Sequence, residues 1–222
     1  MQNLDPPRRG PDLLHTVTVR PAESAELLDV VALDRACFPV DDPHLQPAAP
    51  GELEAGVERG RLLVARASDV PDVPARLLGF VQYDSAAADC HLVLGLAVAA
   101  GYRRRGVGRR LVREVLASLG ADPPQAGVAV AMTTSPRNVG MLRLAFSCGF
   151  VATEYLPDYF GAGSGRFYLR TSTRWARSVS RRTLIPVHAT HLAAQLLARP
   201  GSAVTAVHHL AQGPFLEVRE HD

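Results

Sequence analysis

The chain has 222 residues, 47% of them apolar, and its 24 basic and 22 acidic side chains leave a net charge of +2. This apolar content excludes a disordered protein, and the near balance of charges argues against a nucleic-acid partner. No apolar run reaches the roughly 18 residues that a membrane-spanning helix requires, so no membrane segment is predicted.

Residues 1–15 are rich in proline and arginine and predict a flexible N-terminus. They lack the cationic stretch followed by an apolar segment that marks a secretion signal, so a cytoplasmic protein is expected. One folded domain is predicted over residues 16–172. Its predicted strands and helices, in chain order, are strand 16–21, helix 22–38, helix 51–60, strands 61–66, 77–84 and 90–98, helix 107–119, strand 128–132, helix 138–148, a sixth strand that begins at Gly149-Phe150, and strand 166–170.

The C-terminal part of the chain differs in composition and in predicted elements. Residues 173–182 carry four arginines and predict a basic connector. Residues 183–222 predict a strand over 183–189, a helix over 191–199 with Thr190 as its N-cap, and a hairpin of 202–210 with 214–220. Forty residues of this kind bury too little surface to fold alone. We therefore expect this β-α-β-β appendage to pack on the main domain or on a second subunit of a homodimer.

An Arg/Gly loop connects the fourth strand to the third helix, over residues 96–111 with the sequence LAVAAGYRRRGVGRRL. A helix N-terminus presents unpaired backbone N–H groups and the positive end of the helix dipole. Glycines in the loop let an anion approach the main chain closely. The stretch therefore predicts a cradle for a pyrophosphate group.

The spacing Arg103-x-x-Gly106-x-Gly108 after Leu-Ala-Val resembles the acyl-CoA-binding motif of the GNAT superfamily of N-acyltransferases. This resemblance covers about residues 16–172 and implies the GNAT fold, an α+β domain with a mixed seven-stranded sheet flanked by about four helices. It also implies acetyl-CoA or another acyl-CoA as cofactor. The residues that it implies for cofactor binding are Leu96, Ala97, Val98, Arg103, Arg104, Arg105, Gly106, Val107, Gly108, Arg109 and Asn138.

Asn138-x5-Leu144 followed by Gly149-Phe150 resembles the helix-four motif of the same family, whose asparagine contacts the pantetheine arm. In this family the fourth strand parts from the fifth, and a main-chain N–H group faces the thioester oxygen. Here the resemblance implies the N–H of Val98. A preorganised donor of this kind contributes about 3 kcal/mol to lowering the barrier.

The family's usual acid and base positions are vacant. Ala145 stands where the family has a tyrosine, and Leu92 and Thr133 stand at the strand positions that hold a base. The nearest replacement is His91, because an imidazole with an unperturbed pKa of about 6.5 suits proton transfer near neutrality. Its parity places His91 on the opposite strand face from Leu92 unless a bulge intervenes, so a packed structural histidine is the alternative.

Residues 154–160, with the sequence EYLPDYF, resemble the Tyr-Tyr or Tyr-Phe turn of N-terminal acetyltransferases, where tyrosine hydroxyls grip the first residues of the peptide. We predict that Phe38, Tyr155, Tyr159 and Phe160 bind the acceptor and that Tyr159 takes part in catalysis. Ordinary hairpin packing is the alternative. Histidines and cysteines elsewhere lack the spacing of a ligand set, so no metal site is predicted.

The expected function is transfer of an acetyl or other acyl group to the α-amine of a peptide or protein. An alternative acceptor is a small amine such as an antibiotic or polyamine, for which Asp41, Asp42, Glu52 and Glu54 could supply an acidic cleft. A second alternative, suggested by the missing tyrosine, is a catalytically silent acyl-CoA sensor. A third is an acyltransferase that acts on RNA through the basic connector.

Overall fold

The computed structural model describes residues 17–39, 47–49, 51–67, 76–87, 90–120, 128–171 and 181–220. Short 3₁₀ turns lie before the first helix, at Ser24–Glu26, and within the Arg/Gly loop, at Ala100–Tyr102. The helices of the described residues are α1 (Leu27–Cys37), α2 (Glu52–Glu58), α3 (Val107–Ser118), α4 (Val139–Ser147) and α5 (Thr190–Leu197). The strands are β1 (Val17–Pro21), β2 (Leu62–Ala67), β3 (Arg76–Ala87), β4 (Cys90–Val98), β5 (Ala129–Thr134), β6 (Phe150–Leu156), β7 (Arg166–Thr171), β8 (Arg181–Pro186), β9 (Ser202–Leu210) and β10 (Gly213–Glu220).

These strands form one sheet with the order β1-β2-β3-β4-β5-β7-β6-β9-β10-β8. Neighbouring strands run antiparallel, except that β4 and β5 run parallel. The predicted α+β class with a mixed sheet is confirmed. The sheet is larger than the predicted seven strands because β9, β10 and β8 continue it beyond β6, and the fifth helix belongs to the same segment.

Two buried clusters hold the helices against the sheet. The larger cluster includes the apolar face of α3, where Leu111 and Val115 are fully buried. The smaller cluster joins α1 and α2 to the sheet through Val30, Leu62 and Phe80, which are also fully buried. Apolar residues three and four positions apart on α3 bring one helical face onto the core. The site described below lies beside the second cluster, between the ends of β4 and β5.

The C-terminal segment shares the core of the main domain. Leu197 of α5 and Leu216 of β10 lie in the same buried cluster as Leu142 of α4. Strand β9 pairs with β6 through Ala152 and Val204. Two local predictions are wrong. The N-cap of α5 is Ala189, and Thr190 is the first helical residue. The strand predicted over 183–189 runs from Arg181 to Pro186 and so includes the end of the predicted connector; residues 172–180 lie outside the described part of the chain.

Removing the C-terminal segment should expose both the edge of β6 and an apolar patch. We expect a chain that ends at Thr173 to lose solubility or change its oligomeric state, because an uncovered edge strand and apolar face promote association. Light scattering and sedimentation measure this outcome. A shortened chain with unchanged solubility, unchanged mass in solution and unchanged activity would show that the segment is dispensable.

A pair of substitutions separates this packing effect from the loss of chain length. Val204 is fully buried at the junction, whereas Leu184 of β8 is 48% exposed. Val204→Asp should destabilise the fold by about 3 kcal/mol or more because it buries an unpaired charge, while Leu184→Asp should cost little.

Among the described residues, no helix has both the length and the apolar character needed to span a membrane.

Candidate active site

A cleft opens where β4 and β5 diverge. Their parallel pairing runs from Cys90 and Ala129 to Val93 and Met132 and then ends. At this point β4 carries a bulge, because Tyr83 of β3 pairs with Val93 while the preceding Gln82 pairs with Gly95. A bulge bends its strand and increases the local twist. The resulting cleft has a volume of about 290 Å³.

The pairing pattern directs main-chain groups of β4 beyond the bulge away from β3. The Ala99 N–H donates to the Leu78 carbonyl of β3 at 2.9 Å. Hydrogen-bonding direction alternates along an antiparallel strand, so the N–H and C=O groups of Leu96 and Val98 face away from β3. The Val98 carbonyl accepts from Arg103 Nε at 3.0 Å on that side. Leu96 lines the cleft, whereas Val98 is not among the residues that line it.

The Arg/Gly loop ends at the N-terminus of α3. Gly106 is the N-cap, with a φ of +83°, and Arg104, two residues before it, has a φ of +58°. A side chain at Gly106 would be strained in this left-handed conformation. The first-turn N–H groups of α3 lack intrahelical partners, and Gly106 and the preceding arginines are exposed beside them. This arrangement fits the pyrophosphate of an acyl-CoA.

Other predicted cofactor residues serve different purposes. A Cβ atom at Gly108 would lie 3.1 Å from Leu144 Cδ2, so this glycine allows α3 to pack closely on α4. Ala97 and Val107 are buried in the core, so only their backbones can reach a cofactor. Arg105 lies over the Tyr102 ring at 6.0 Å. Arg109 is exposed in the first turn of α3.

Asn138 borders the cleft at the start of α4. It is the N-cap of α4, and its Oδ1 accepts from the Met141 N–H at 3.0 Å. Asn138 is exposed and lines the cleft together with Met141 and Thr133. The asparagine that the helix-four motif singles out therefore caps its helix and borders the cleft.

The loop between β6 and β7 reaches over the cleft with two aromatic rings. Tyr159 and Phe160 line it, and their rings pack edge to face with centroids 4.7 Å apart. The buried Arg166 guanidinium lies over the Phe160 ring at 4.8 Å. Asp158 Oδ1 accepts from the Gly163 N–H at 3.0 Å and holds the loop closed. Phe38, at the C-terminus of α1, lines the same cleft.

Two predicted site residues lie elsewhere. His91 is on the other face of β4 from Leu92, where its Nδ1 lies 3.5 Å from Ser85 Oγ and its ring packs against Tyr83. The Tyr155 ring packs on Phe167 with centroids 5.2 Å apart, and its hydroxyl occupies the space that a side chain at residue 165 would need. Neither His91 nor Tyr155 is among the residues that line the cleft.

The cleft also contains two carboxylates that connect α1 to α2. Asp34 is only 5% exposed, and its Oδ2 accepts from the Ala48 N–H at 3.1 Å. Glu52 Oε2 accepts from the Ala49 N–H at 2.9 Å, and the backbone carbonyl of Glu52 accepts from Gln82 Nε2 at 2.8 Å. Burial raises the pKa of Asp34, and the nearby Glu52 charge raises it further.

Asp34 is not among the predicted site residues, although the sequence contains a signal for it. Val30, Asp34 and Phe38 follow one another at a spacing of four, and the two flanking residues are apolar. Residues at this spacing share one helical face, so a carboxylate between two apolar residues points into the protein. Glu54, by contrast, is exposed, and Asp41 and Asp42 lie outside the described residues.

Comparison with known proteins identifies the family of this chain. Residues 27–150, more than half of the chain, match the acetyltransferase (GNAT) family. The chain belongs to this family. The GNAT assignment made from the Arg/Gly loop and the helix-four motif is confirmed, and with it an acetyltransferase that uses acetyl-CoA or another acyl-CoA. No curated protein sequence matches the GNAT chain significantly.

Three solved structures share the fold. Arabidopsis thaliana NAA60 in complex with acetyl-CoA has a TM-score of 0.57 at 19% identity, over 70% of this GNAT chain and 97% of that chain. Arabidopsis thaliana Naa50 in complex with the bisubstrate analogue CoA-Ac-MVNAL has a TM-score of 0.56 at 16% identity, over 71% and 99%. The ribosomal-protein-S18-alanine N-acetyltransferase of Escherichia coli has a TM-score of 0.53 at 16% identity, over 70% and 92%.

Proposed function

We propose that this GNAT enzyme transfers an acetyl group, or another acyl group, from CoA to the α-amine of a peptide or protein. The observation that carries the proposal is the aromatic lining that two separate elements contribute to the cleft. Phe38 comes from α1, and Tyr159 and Phe160, which are 44% and 39% exposed, come from the β6–β7 loop. Exposed aromatic side chains beside a cleft suit the contact with a peptide end. The Naa50 complex with a peptidic bisubstrate analogue supports the same acceptor class.

The backbone of β4 supplies the groups that this transfer requires. Bound acyl-CoA supplies the thioester carbonyl that the amine attacks. The Val98 N–H, which faces away from β3, would be the donor to the thioester oxygen, and a preorganised donor contributes about 3 kcal/mol to stabilising a developing oxyanion. Arg103 Nε donates to the Val98 carbonyl at 3.0 Å and so fixes the next peptide group, between Val98 and Ala99. The N-terminus of α3, with Gly106 and the exposed arginines, would hold the pyrophosphate.

An acceptor panel tests this function. The enzyme is incubated with acetyl-CoA and peptides with a free α-amine, N-terminally blocked lysine peptides, polyamines and aminoglycosides, and the products are read by mass spectrometry. We expect the acetyl group on the peptide α-amines. Exclusive modification of polyamines or aminoglycosides would replace this acceptor by a small cationic amine, a candidate that the carboxylates Asp34 and Glu52 in the cleft favour.

The Tyr159 ring should contribute to acceptor binding. Tyr159→Ala removes one of the two packed rings over the cleft, and we expect KM for a peptide acceptor to rise about tenfold, because burying such a ring is worth about 1.5–3 kcal/mol at most. Tyr159→Phe keeps the ring and tests the hydroxyl alone. An unchanged KM in Tyr159→Ala, measured with saturating acetyl-CoA, would remove Tyr159 from the acceptor site.

A further inference from the structure

The proposed transfer requires a group that removes a proton from the acceptor. An amine enters at neutral pH mainly as an ammonium ion, which has no lone pair for attack. Leu92 and Thr133, at the positions where the family has a base, both line the cleft and neither accepts a proton. His91 points to the other face of β4. The base must therefore come from another element.

Few proton acceptors remain among the described residues that line the cleft. The Arg166 guanidinium carries only donors, and the hydroxyl and amide side chains of the lining are not bases. The carboxylates of Asp34 and Glu52 are the two that are left. Both are anchored, because one oxygen of each accepts from the backbone of residues 48 and 49.

Asp34 suits the task better than Glu52. It is only 5% exposed, so it is held away from bulk water, while Glu52 is half-buried at the first turn of α2. Its Oδ2 is engaged by Ala48, and no described residue donates to Oδ1. The charged groups that act on Asp34 are Glu52, which raises its pKa, and Arg35, which lowers it, while Gln82 of β3 is neutral. The net effect, mainly of burial, is to raise the pKa of Asp34, which makes it a stronger base than an ordinary carboxylate.

We propose that Asp34 is the general base of this acetyl transfer and that Glu52 holds the acceptor ammonium beside it, an inference that rests on the proposed function. Asp34 Oδ1 takes one proton from the ammonium, which frees the nitrogen lone pair. The C–N bond of the amide then forms as the C–S bond of the thioester breaks and its electron pair leaves with sulfur. The second nitrogen proton ends on the thiolate, and Asp34 returns its proton to water.

Asp34→Asn tests this role, because the amide is nearly isosteric and its oxygen can still accept from Ala48. We expect kcat for the acceptor that the wild type uses to fall about a hundredfold, the usual contribution of a general base, with CoA affinity and melting temperature nearly unchanged. Glu54→Gln is the matched control, because Glu54 is an exposed carboxylate of α2 outside the cleft, and it should retain wild-type kcat. A purely structural role for Asp34 would lower the melting temperature of Asp34→Asn and leave kcat per folded enzyme intact.

Glu52→Gln provides a second measurement that does not depend on the folding of Asp34→Asn. Because the Glu52 charge raises the pKa of Asp34, its removal lowers that pKa, so the acidic limb of the kcat profile should move to lower pH. An Asp34→Asn enzyme within threefold of wild-type kcat, or an acidic limb that does not move in Glu52→Gln, would overturn the base assignment while leaving the transfer itself intact. A wild type that acetylates no amine at all would overturn the proposed function and the base together.

Discussion

A peptide with a free α-amine and no lysine should be acetylated with a kcat/KM at least about a hundredfold above that of an N-terminally blocked peptide with one lysine. An α-amine has a pKa of about 8 and a lysine amine one of about 10.4. At pH 7 roughly a tenth of the former is neutral but only about four parts in ten thousand of the latter. The difference corresponds to about 3 kcal/mol of barrier. A general base at Asp34 does not abolish this difference in barrier. Proton transfer from either ammonium to a carboxylate is unfavourable, and it is more unfavourable from the lysine ammonium.

The pH dependence of this preference makes the test sharper. Between pH 7 and pH 9 the neutral fraction of the α-amine rises about tenfold, whereas the neutral fraction of the lysine amine rises about a hundredfold. The preference for the α-amine should therefore shrink about tenfold. Paired assays on the two peptides at both pH values, with saturating acetyl-CoA, measure it. Equal kcat/KM on the two peptides at pH 7, or a preference that is independent of pH, would contradict the expectation and point to recognition by side-chain contacts alone.

Local patterns predicted the central elements of the fold, and tertiary contacts explain the differences. The strand Cys90–Val98 and the start of α3 at Val107 agree with the sequence prediction because their apolar spacing is simple. The first helix begins at Leu27 rather than residue 22, because Ser24–Glu26 form a 3₁₀ turn. Glu26 stabilises this turn by accepting from the Glu23 N–H at 2.8 Å and from Arg20, a contact that no helical periodicity reports.

The position of the C-terminal strands could not be predicted for a different reason. Their alternation predicted a strand, a helix and a hairpin, and these elements are present. Which edge they join depends on the pairing of Ala152 with Val204, two residues far apart in the chain. Strand partners are selected by burial and by cross-strand contacts, which leave no local mark in either strand.

The two halves of the site differ in the same way. The proposed cofactor half consists of two short local motifs, so the loop at Arg103–Gly108 and the cap at Asn138 were each visible in the sequence. The proposed acceptor half is assembled from α1, α2, β3 and the β6–β7 loop, and the buried Arg166 lies beside it with its guanidinium over the Phe160 ring. A function carried by backbone groups does not depend on the side chain at that position. A side-chain base, by contrast, can be supplied by a different element, as we propose for Asp34 of α1.

Gly106→Val should weaken CoA binding at least about a hundredfold. Gly106 has a φ of +83° at the N-cap of α3, a conformation that a β-branched residue adopts only under strain. To relieve it, the loop must turn its N–H groups away from the space in front of the helix. Hydrogen bonds to a charged group contribute about 1.5–3 kcal/mol each, so the loss of two accounts for the expected change. Titration calorimetry with CoA measures the affinity directly.

The opposite end of the same helix supplies the matched control. Gly120 follows α3 with a φ of +67° and open space around its Cβ position, so Gly120→Val imposes a similar backbone strain far from the Arg/Gly loop. It should lower the melting temperature about as much as Gly106→Val and leave CoA affinity unchanged. Gly108→Val is unsuitable as a test, because its side chain would strike Leu144 and disturb the packing of α3 on α4. If Gly106→Val and Gly120→Val bind CoA equally well, the N-terminus of α3 does not hold the pyrophosphate.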